Sequence, residues 1–402
     1  MTLRAAMLSV HTSPLATLGG KKAGGMNVYV RELSSHLAEL GVQVDVFTRR
    51  EGEGPAIIQT HDNVRVIAVD AGPRKRLSTA AIYDHLPAFA HNLLNAFPPY
   101  DIIHSHYWLS GWVAERLREA WGSPYLQMFH TLGHMKNRIA TASDQQESGL
   151  RIDVETQIIG SADRLIAATP AERIQLMWLY NAAIERITIS SPGVDLTRFY
   201  PRDQQEARQR IGVDPHRHLI VFVGRLEPLK GLDTLFRAAA LLRNSGSEAF
   251  NVAVIGGEAG GPEFERLVGL RRELGLETTV QFLGTRTQDV LPDYYSAADA
   301  VVMPSHYESF GMVALEAMAC GTPVVASEVG GLAYLVEDGV TGLHVPYREP
   351  GELAARLGLL LANSSLREEM GRSAAQHAQQ YDWRLIASQM EALYQAVVRG
   401  DC

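Results

Sequence analysis

Two carboxylates, Glu308 and Glu316, stand eight positions apart in the stretch ESFGMVALEA, around an otherwise apolar run broken by Gly311. From Met312 onward the apolar residues recur as on a helix, which puts Glu308 in the loop before it and Glu316 in its second turn. That spacing lets two carboxylates flank one small polar ligand. It equally lets Glu308 cap the helix start, where the dipole favours an anion, with Glu316 on a solvated face.

In VGRLEPLKGLDTL, Arg225 follows an apolar run and Lys230 precedes a helical pattern. Arginine offers a planar fork and lysine a point charge, a combination that can clamp a pyrophosphate; solvated loop cations are the competing reading. LATLGGKKAGGMNVYVREL passes through glycines, Gly24 and Gly25 the last of them, into a helix beginning near Met26. Free backbone N–H groups there can hold a phosphate, although a flexible turn ahead of a helix is the plainer alternative. The run is neither GxGxxG nor GxxxxGK[ST], which disfavours a nicotinamide dehydrogenase or a P-loop enzyme. His130 ends the apolar YLQMFH and is followed by Thr131, with Tyr107 and Trp108 in HSHYW. It reads either as a hydrogen-bonded core residue or as part of a pocket wall. The sequence has no HExxH, CxxC or DxD, and no Ser-His-Asp set stands out; a metal-bound sugar-nucleotide site of the DxD kind is unsupported.

Such residues need elements to position them. Strand-like RAAMLSV, VQVDVFT, VRVIAV, DIIHSH, PYLQMFH and RLIAAT alternate with helical patterns at 26 to 40, around 80 to 96, and beyond. ITISSPGVDLTRFYPRD, residues 187 to 203, carries the proline and glycine punctuation of a domain boundary. The second half repeats the alternation: LIVFVG, NVAVIGG, VQFLG, AVVMPS and PVVAS, with helices at 231 to 243, 262 to 274, 288 to 297 and 312 to 319. Short apolar strands separated by helices predict a parallel sheet covered on both faces. The fold class is therefore α/β, two Rossmann-like doubly wound domains in tandem, 1–195 and 196–380. Helical patterns at 350 to 362, 364 to 380 and 383 to 399 follow, and the segment 381–402 is expected to cross back onto the first domain. Ligands of such sheets bind beyond the carboxyl ends of the strands. His11, the glycines of GGKKAGGMN, HSHYW, FHTLGH, Arg225 and the HYESFG loop all fall there, which predicts one site in a central cleft.

A length of 402 residues suffices for two domains. The net charge of -8, without a dense Lys/Arg run, argues against nucleic acid as the main partner. The one short basic cluster, GPRKRLS at 72 to 78, reads as an exposed loop. Two cysteines, Cys320 and Cys402, make no disulfide framework, and a reducing cytoplasm fits. The N-terminus reads as a first strand, not a signal peptide. No apolar run reaches the roughly 18 residues that span a bilayer. A homodimer stays open.

A nucleoside diphosphate suits a glycine-lined helix start on one side and a cation pair on the other. Ionised carboxylates accept two hydrogen bonds from vicinal hydroxyls, so one glutamate can hold the ribose and the other a transferred sugar. N–H groups at Gly311 and Met312 would stabilise the departing diphosphate.

Over essentially its whole length the chain resembles a retaining glycosyltransferase of the GT-B fold, from the family of sucrose-phosphate synthases, bacterial mannosyltransferases and the inositol-phosphate N-acetylglucosaminyltransferase of mycothiol biosynthesis, glycosyltransferase family four. The glutamate pair in PSHYESFGMVALEAMACGTPVVAS and the upstream VGRLEPLKG carry the likeness, and HTSPLATLGGKKAGGMNVYV, HSHYWLSGW and FHTLGHMKN narrow it to the synthase-like branch. The resemblance implies a UDP-sugar donor, UDP-glucose or UDP-N-acetylglucosamine, and chemistry without a metal. It implies Gly25 near the donor phosphate, Arg225 and Lys230 on the diphosphate, Glu308 at the donor sugar, Glu316 at the ribose, and His130 near the sugar's exocyclic hydroxyl. The backbone of Phe310, Gly311, Met312 and Val313 would line sugar and phosphate. It further implies a small polar acceptor, a phosphorylated sugar or polyol, near His11, Asn27, Tyr107, Thr131 and Arg151. The branch's lysine on the acceptor phosphate has no counterpart at the matching position, about Thr79; Lys75 stands four residues earlier, and Lys22 stands where the branch tends to carry an acid. A structural magnesium held by carbonyls would fall around Tyr295, Ser296, Ala298 and Thr322. A sugar-nucleotide epimerase and a silent nucleotide-sugar-binding protein are the competing classes.

Overall fold

Runs of Val, Ile and Leu too short for helices form strands buried on both faces, and the described residues of the computed structural model, 2–16, 24–139, 146–246, 249–257 and 259–401, arrange them in two sheets. Contacts divide the chain into two units. The first holds the residues up to Ala16, Gly25–Pro192 and the closing segment from Trp383; the second holds Gly24 with Gly193–Asp382.

The first unit's sheet comprises β1 (Arg4–Leu8), β2 (Gln43–Arg49), β3 (Ile57–His61), β4 (Val64–Val69), β5 (Ile102–His106), β6 (Tyr125–Met128), β7 (Arg164–Ala167) and β8 (Ile187–Ile189). Their order is β3-β4-β2-β1-β5-β6-β7-β8. All neighbours are parallel except β3, which runs antiparallel to β4 at the edge, so the expectation of a wholly parallel sheet is corrected there. Leu8, Phe47, Ile103, Tyr125 and Leu165 join the core beneath the covering helices.

The second unit's sheet comprises β9 (His218–Val223), β10 (Phe250–Ile255), β11 (Val280–Gly284), β12 (Ala300–Met303), β13 (Val324–Ser327) and β14 (Gly342–Val345). Its order is β11-β10-β9-β12-β13-β14, parallel throughout. In both sheets the order reverses once, between β1 and β5 and between β9 and β12. Those are the switch points where loops diverge and a ligand can enter.

Local chemistry sets the helix ends. Thr169 caps Pro170–Tyr180 by accepting from the Glu172 N–H at 3.1 Å, Pro170 opens the helix and Asn181 closes it in the left-handed region. The helical stretch expected around 80 to 96 is two helices, Thr79–Tyr83 and Leu86–Ala96, because Pro87 lacks the N–H that a continuous helix needs and fits only at a start. Pro292 likewise moves the helix expected at 288 to 297 to Leu291–Ala297. In Trp383–Arg399 the buried residues Trp383, Ile386, Met390, Tyr394 and Val397 recur at helical spacing. That face packs on the helix Gly25–Glu39, with the Trp383 and Tyr29 rings 5.4 Å apart. Among the described residues no helix is long and apolar enough to cross a membrane.

Candidate functional site

In the second unit the loops leaving β9 and β12 emerge side by side at the switch point. Lys230 ends the short turn Pro228–Lys230 after β9 and donates from Nζ to Glu308 Oε2, in the loop after β12, at 2.5 Å. The two loops are also joined backbone to backbone, by the His306 N–H on the Leu229 carbonyl at 2.8 Å. Gly231, at φ 68, lets them meet: a Cβ there would lie 1.9 Å from the Pro304 carbonyl oxygen. The Glu308 carbonyl accepts the Gly331 N–H at 2.9 Å, and a Cβ on Gly330 would lie 2.0 Å from that oxygen. Lys230 and Glu308 are thus held by their backbones before any ligand arrives.

The helix Met312–Ala319 starts at Gly311 without a side-chain cap. The reading of Glu308 as that cap is corrected, since its carboxylate is turned to Lys230. The first N–H groups of the helix, at Met312 and Val313, have no intrahelical acceptor and mark a positive end. Phe310 is buried against the Tyr381 ring. Glu316 is buried too, which corrects the solvated-face reading. Its carboxylate accepts from the Tyr295 hydroxyl at 2.7 Å and the Gln288 amide at 3.5 Å. Burial, and then the Glu316 charge, hold the Tyr295 phenol well above its ordinary pKa, so it stays a donor. Arg225 is two-fifths exposed and pairs with Glu227 at 2.6 Å; a Cβ on Gly24 would sit 3.9 Å from its Nε.

The first unit gathers its polar residues at its own switch point. The His11 and Tyr107 rings, past β1 and β5, have centroids 4.4 Å apart. The Arg151 guanidinium lies over the Tyr107 ring at 4.9 Å and donates from Nη2 to the Thr131 carbonyl at 2.8 Å and hydroxyl at 3.1 Å. Tyr107 and His130 both have positive φ, 74 and 60, a conformation that a bulky side chain keeps only where its surroundings over-determine it. His130 is partly buried, with its pKa lowered by burial. Asn27 donates to the Thr12 hydroxyl at 2.8 Å and the Ser13 carbonyl at 2.7 Å, tying the loop after β1 to the helix that Gly25 opens. Lys22 lies outside the described residues. Lys75 is exposed and Thr79 starts a short helix.

Several partners were not singled out from the sequence. Glu155 and Glu147 bind Arg151 through Nε at 2.7 Å and Nη1 at 2.9 Å. Their spacing of four residues on either side of Arg151 was the available signal. Gln288 and Tyr295, the partners of Glu316, carry no such signal, because the contact crosses between elements far apart in sequence. Of the carbonyls suggested for a magnesium, Tyr295 O accepts the Thr322 hydroxyl at 2.7 Å and the Ala298 N–H at 3.1 Å, and Ala298 O accepts the Gln204 amide at 3.2 Å. Among the described residues no group of three or more His, Cys, Asp or Glu is arranged to hold a metal.

Two Rossmann-like units, one with an ion pair and a helix start at its switch point, define a glycosyltransferase of the GT-B fold, and comparison with known proteins narrows the class. Residues 24–193 match the glycosyl transferase 4-like domain and residues 203–377 match the group 1 glycosyl transferases. The chain is 43% identical over 402 residues to D-inositol 3-phosphate glycosyltransferase 2 of Catenulispora acidiphila, covering 97% of this chain and 94% of that one. It is 35% identical to the sucrose-phosphate synthase structure from Thermosynechococcus elongatus, with a TM-score of 0.93, covering 99% of this chain and all of that one, 100%. Anabaena HepE in complex with UDP and glucose shares the fold at 21% identity and a TM-score of 0.77, covering 98% of this chain and 100% of its own. The chain belongs to the group 1 glycosyltransferases.

Proposed function

We propose that the protein transfers a hexose from a UDP-sugar, UDP-glucose or UDP-N-acetylglucosamine, to a hydroxyl of a small polar acceptor, a phosphorylated sugar or polyol, with retention at the anomeric carbon. The observation that carries this reading is the Lys230–Glu308 pair at 2.5 Å, fixed ahead of a helix amino end at a sheet switch point. Lys230 and Arg225 take the diphosphate, with Gly24 and Gly25 on the donor phosphate and the N–H groups from Phe310 to Val313 alongside. Lys230 released from Glu308 binds phosphate, and Glu308 released from Lys230 binds sugar hydroxyls. Glu316 takes the ribose and His130 the exocyclic hydroxyl. Cations and helix end supply the charge stabilisation without a metal. Both carboxylates, Glu308 in the loop and Glu316 in the helix, are engaged by neighbours and neither is read as a nucleophile, so the diphosphate leaves from the face the acceptor attacks and serves as its base.

The acceptor half of the reading rests on His11, Asn27, Tyr107, Thr131 and Arg151 of the first unit, with Lys22 as an added cation. The D-inositol 3-phosphate in the name of the Catenulispora relative supports an anionic acceptor. The domain roles follow as 1–195 for the acceptor, 196–380 for the donor and 381–402 as a closing helix. The test is a panel of nucleotide sugars against phosphorylated and neutral acceptors, read by UDP release, mass spectrometry and the product anomer by NMR. Acceptor-dependent UDP release with a retained anomer is expected. An inverted anomer overturns retention; an epimerised donor, or binding without turnover, replaces the reading with one of the two competing classes.

A further inference from the structure

β5 ends at His106, and His130 stands two residues past the end of β6. His106 Nδ1 lies 3.1 Å from His130 Nε2, with ring centroids 5.2 Å apart. His106 is fully buried, and its other nitrogen, Nε2, meets no hydrogen-bond partner among the described residues. Burial first, and then His104 and His130, hold His106 well below the usual imidazole range, and burial does the same for His130. With both rings neutral, a single proton occupies the gap between them.

Which ring supplies it is decided by what would be left unpaired. A hydrogen on His106 Nε2 would be a buried donor without an acceptor, which proteins avoid more strictly than a bare ring nitrogen. We propose that His106 is a positioning residue for His130: it donates its Nδ1–H to His130 Nε2, which places the His130 hydrogen on Nδ1 and makes that atom a fixed donor toward a hydroxyl or phosphate oxygen. Tyr29 holds the arrangement edge-on, 5.5 Å from the His106 ring and 5.3 Å from the His130 ring, with Trp383 behind it at 5.4 Å. That the receiving oxygen belongs to the donor sugar rests on the proposed function; the tautomer does not.

In protein labelled with 15N at histidine, the long-range 15N–1H correlation of His130, identified by its loss in His130→Gln, is expected to show the Nδ1–H tautomer. His106→Phe removes the donor and is expected to return His130 to Nε2–H and to lower kcat about tenfold, with the donor KM nearly unchanged. His106→Asn, whose amide nitrogen can donate from the place of Nδ1, is expected to keep both. Nε2–H at His130 in the unaltered protein overturns the proposal, and so does a fall in kcat in His106→Phe with the tautomer unmoved. Should the Nδ1–H tautomer stand while His130→Ala keeps full turnover, the positioning holds and the donor-sugar role of His130 falls.

Discussion

Arg151 and Glu155 form an ion pair at 2.7 Å with side chains only 1% and 0% exposed. The Gly133 N–H at 3.0 Å and the Tyr180 hydroxyl also donate to the same carboxylate. Removing one member of such a pair strands a buried charge, at a cost of about 3–5 kcal/mol. Arg151→Ala and Glu155→Ala are both expected to lower the melting temperature sharply. Loss of activity in Arg151→Ala therefore does not by itself report on the acceptor. Glu147, a quarter exposed and also paired to Lys136 at 2.7 Å, is the partner an acceptor phosphate can displace. Glu147→Gln is expected to lower the KM for a phosphorylated acceptor about fivefold, the worth of one partly exposed charge pair, and to leave a neutral acceptor's KM alone. An unchanged KM for the phosphorylated acceptor in that variant would remove Arg151 from the acceptor site.

Lys230→Ala and Glu308→Ala are each expected to cut kcat roughly a hundredfold, the usual consequence of losing one preorganised charge contact to a transition state. Glu316→Ala is expected to act on nucleotide affinity, measured by calorimetry with UDP, and to leave kcat within a few-fold. Turnover near the unaltered level in Lys230→Ala would end the diphosphate assignment.

Much of this was legible from the chain. Every strand named from an apolar run is present, because parallel strands buried on both faces leave no other place for such runs. The helix at 312 to 319 follows from its period. Among the described residues three strands were not singled out: β3, whose IIQTH lies exposed at the sheet edge, and the short β8 and β14. Partners across sequence were not legible either. Nothing local to Glu316 announces Tyr295, and nothing local to His130 announces His106, since both contacts exist only once the sheet order brings separate elements together.

Glu172 is buried at the start of Pro170–Tyr180 and accepts the Ala168 N–H at 2.7 Å. Burial raises its pKa to about 7, against that hydrogen bond, which lowers it. A raised folded-state value means that the folded protein holds this proton more tightly than the unfolded chain does. Its stabilising effect is full below about pH 4.5 and is lost as pH climbs through about 7, amounting to roughly 3 kcal/mol. Glu172→Gln, neutral at every pH and still able to accept from Ala168, is expected to be the more stable form at pH 8 and no more stable at pH 4. The difference between the two proteins' denaturant midpoints against pH checks this. A flat difference means that Glu172 does not titrate in that window.

Gly231 lies where the Lys230 loop passes close to the Glu308 loop, and two effects act against any side chain there. Its φ of 68 costs a non-glycine residue about 1 kcal/mol. A Cβ would also press to 1.9 Å on the Pro304 carbonyl, a backbone atom that no rotamer change can move aside. The loops must part, and Lys230 then loses its 2.5 Å contact with Glu308. Gly231→Ala is expected to lower the melting temperature, raise the donor KM and reduce kcat together. Gly269 gives the contrast: it lies inside the helix Pro262–Glu273 with nothing within 4 Å of where its Cβ would stand. There the better helix propensity of alanine is worth about 1 kcal/mol in the stabilising direction, so Gly269→Ala is expected to raise the melting temperature and leave the kinetics unchanged. Unaltered donor kinetics in a folded Gly231→Ala protein would mean that the spacing of the two loops does not govern donor binding.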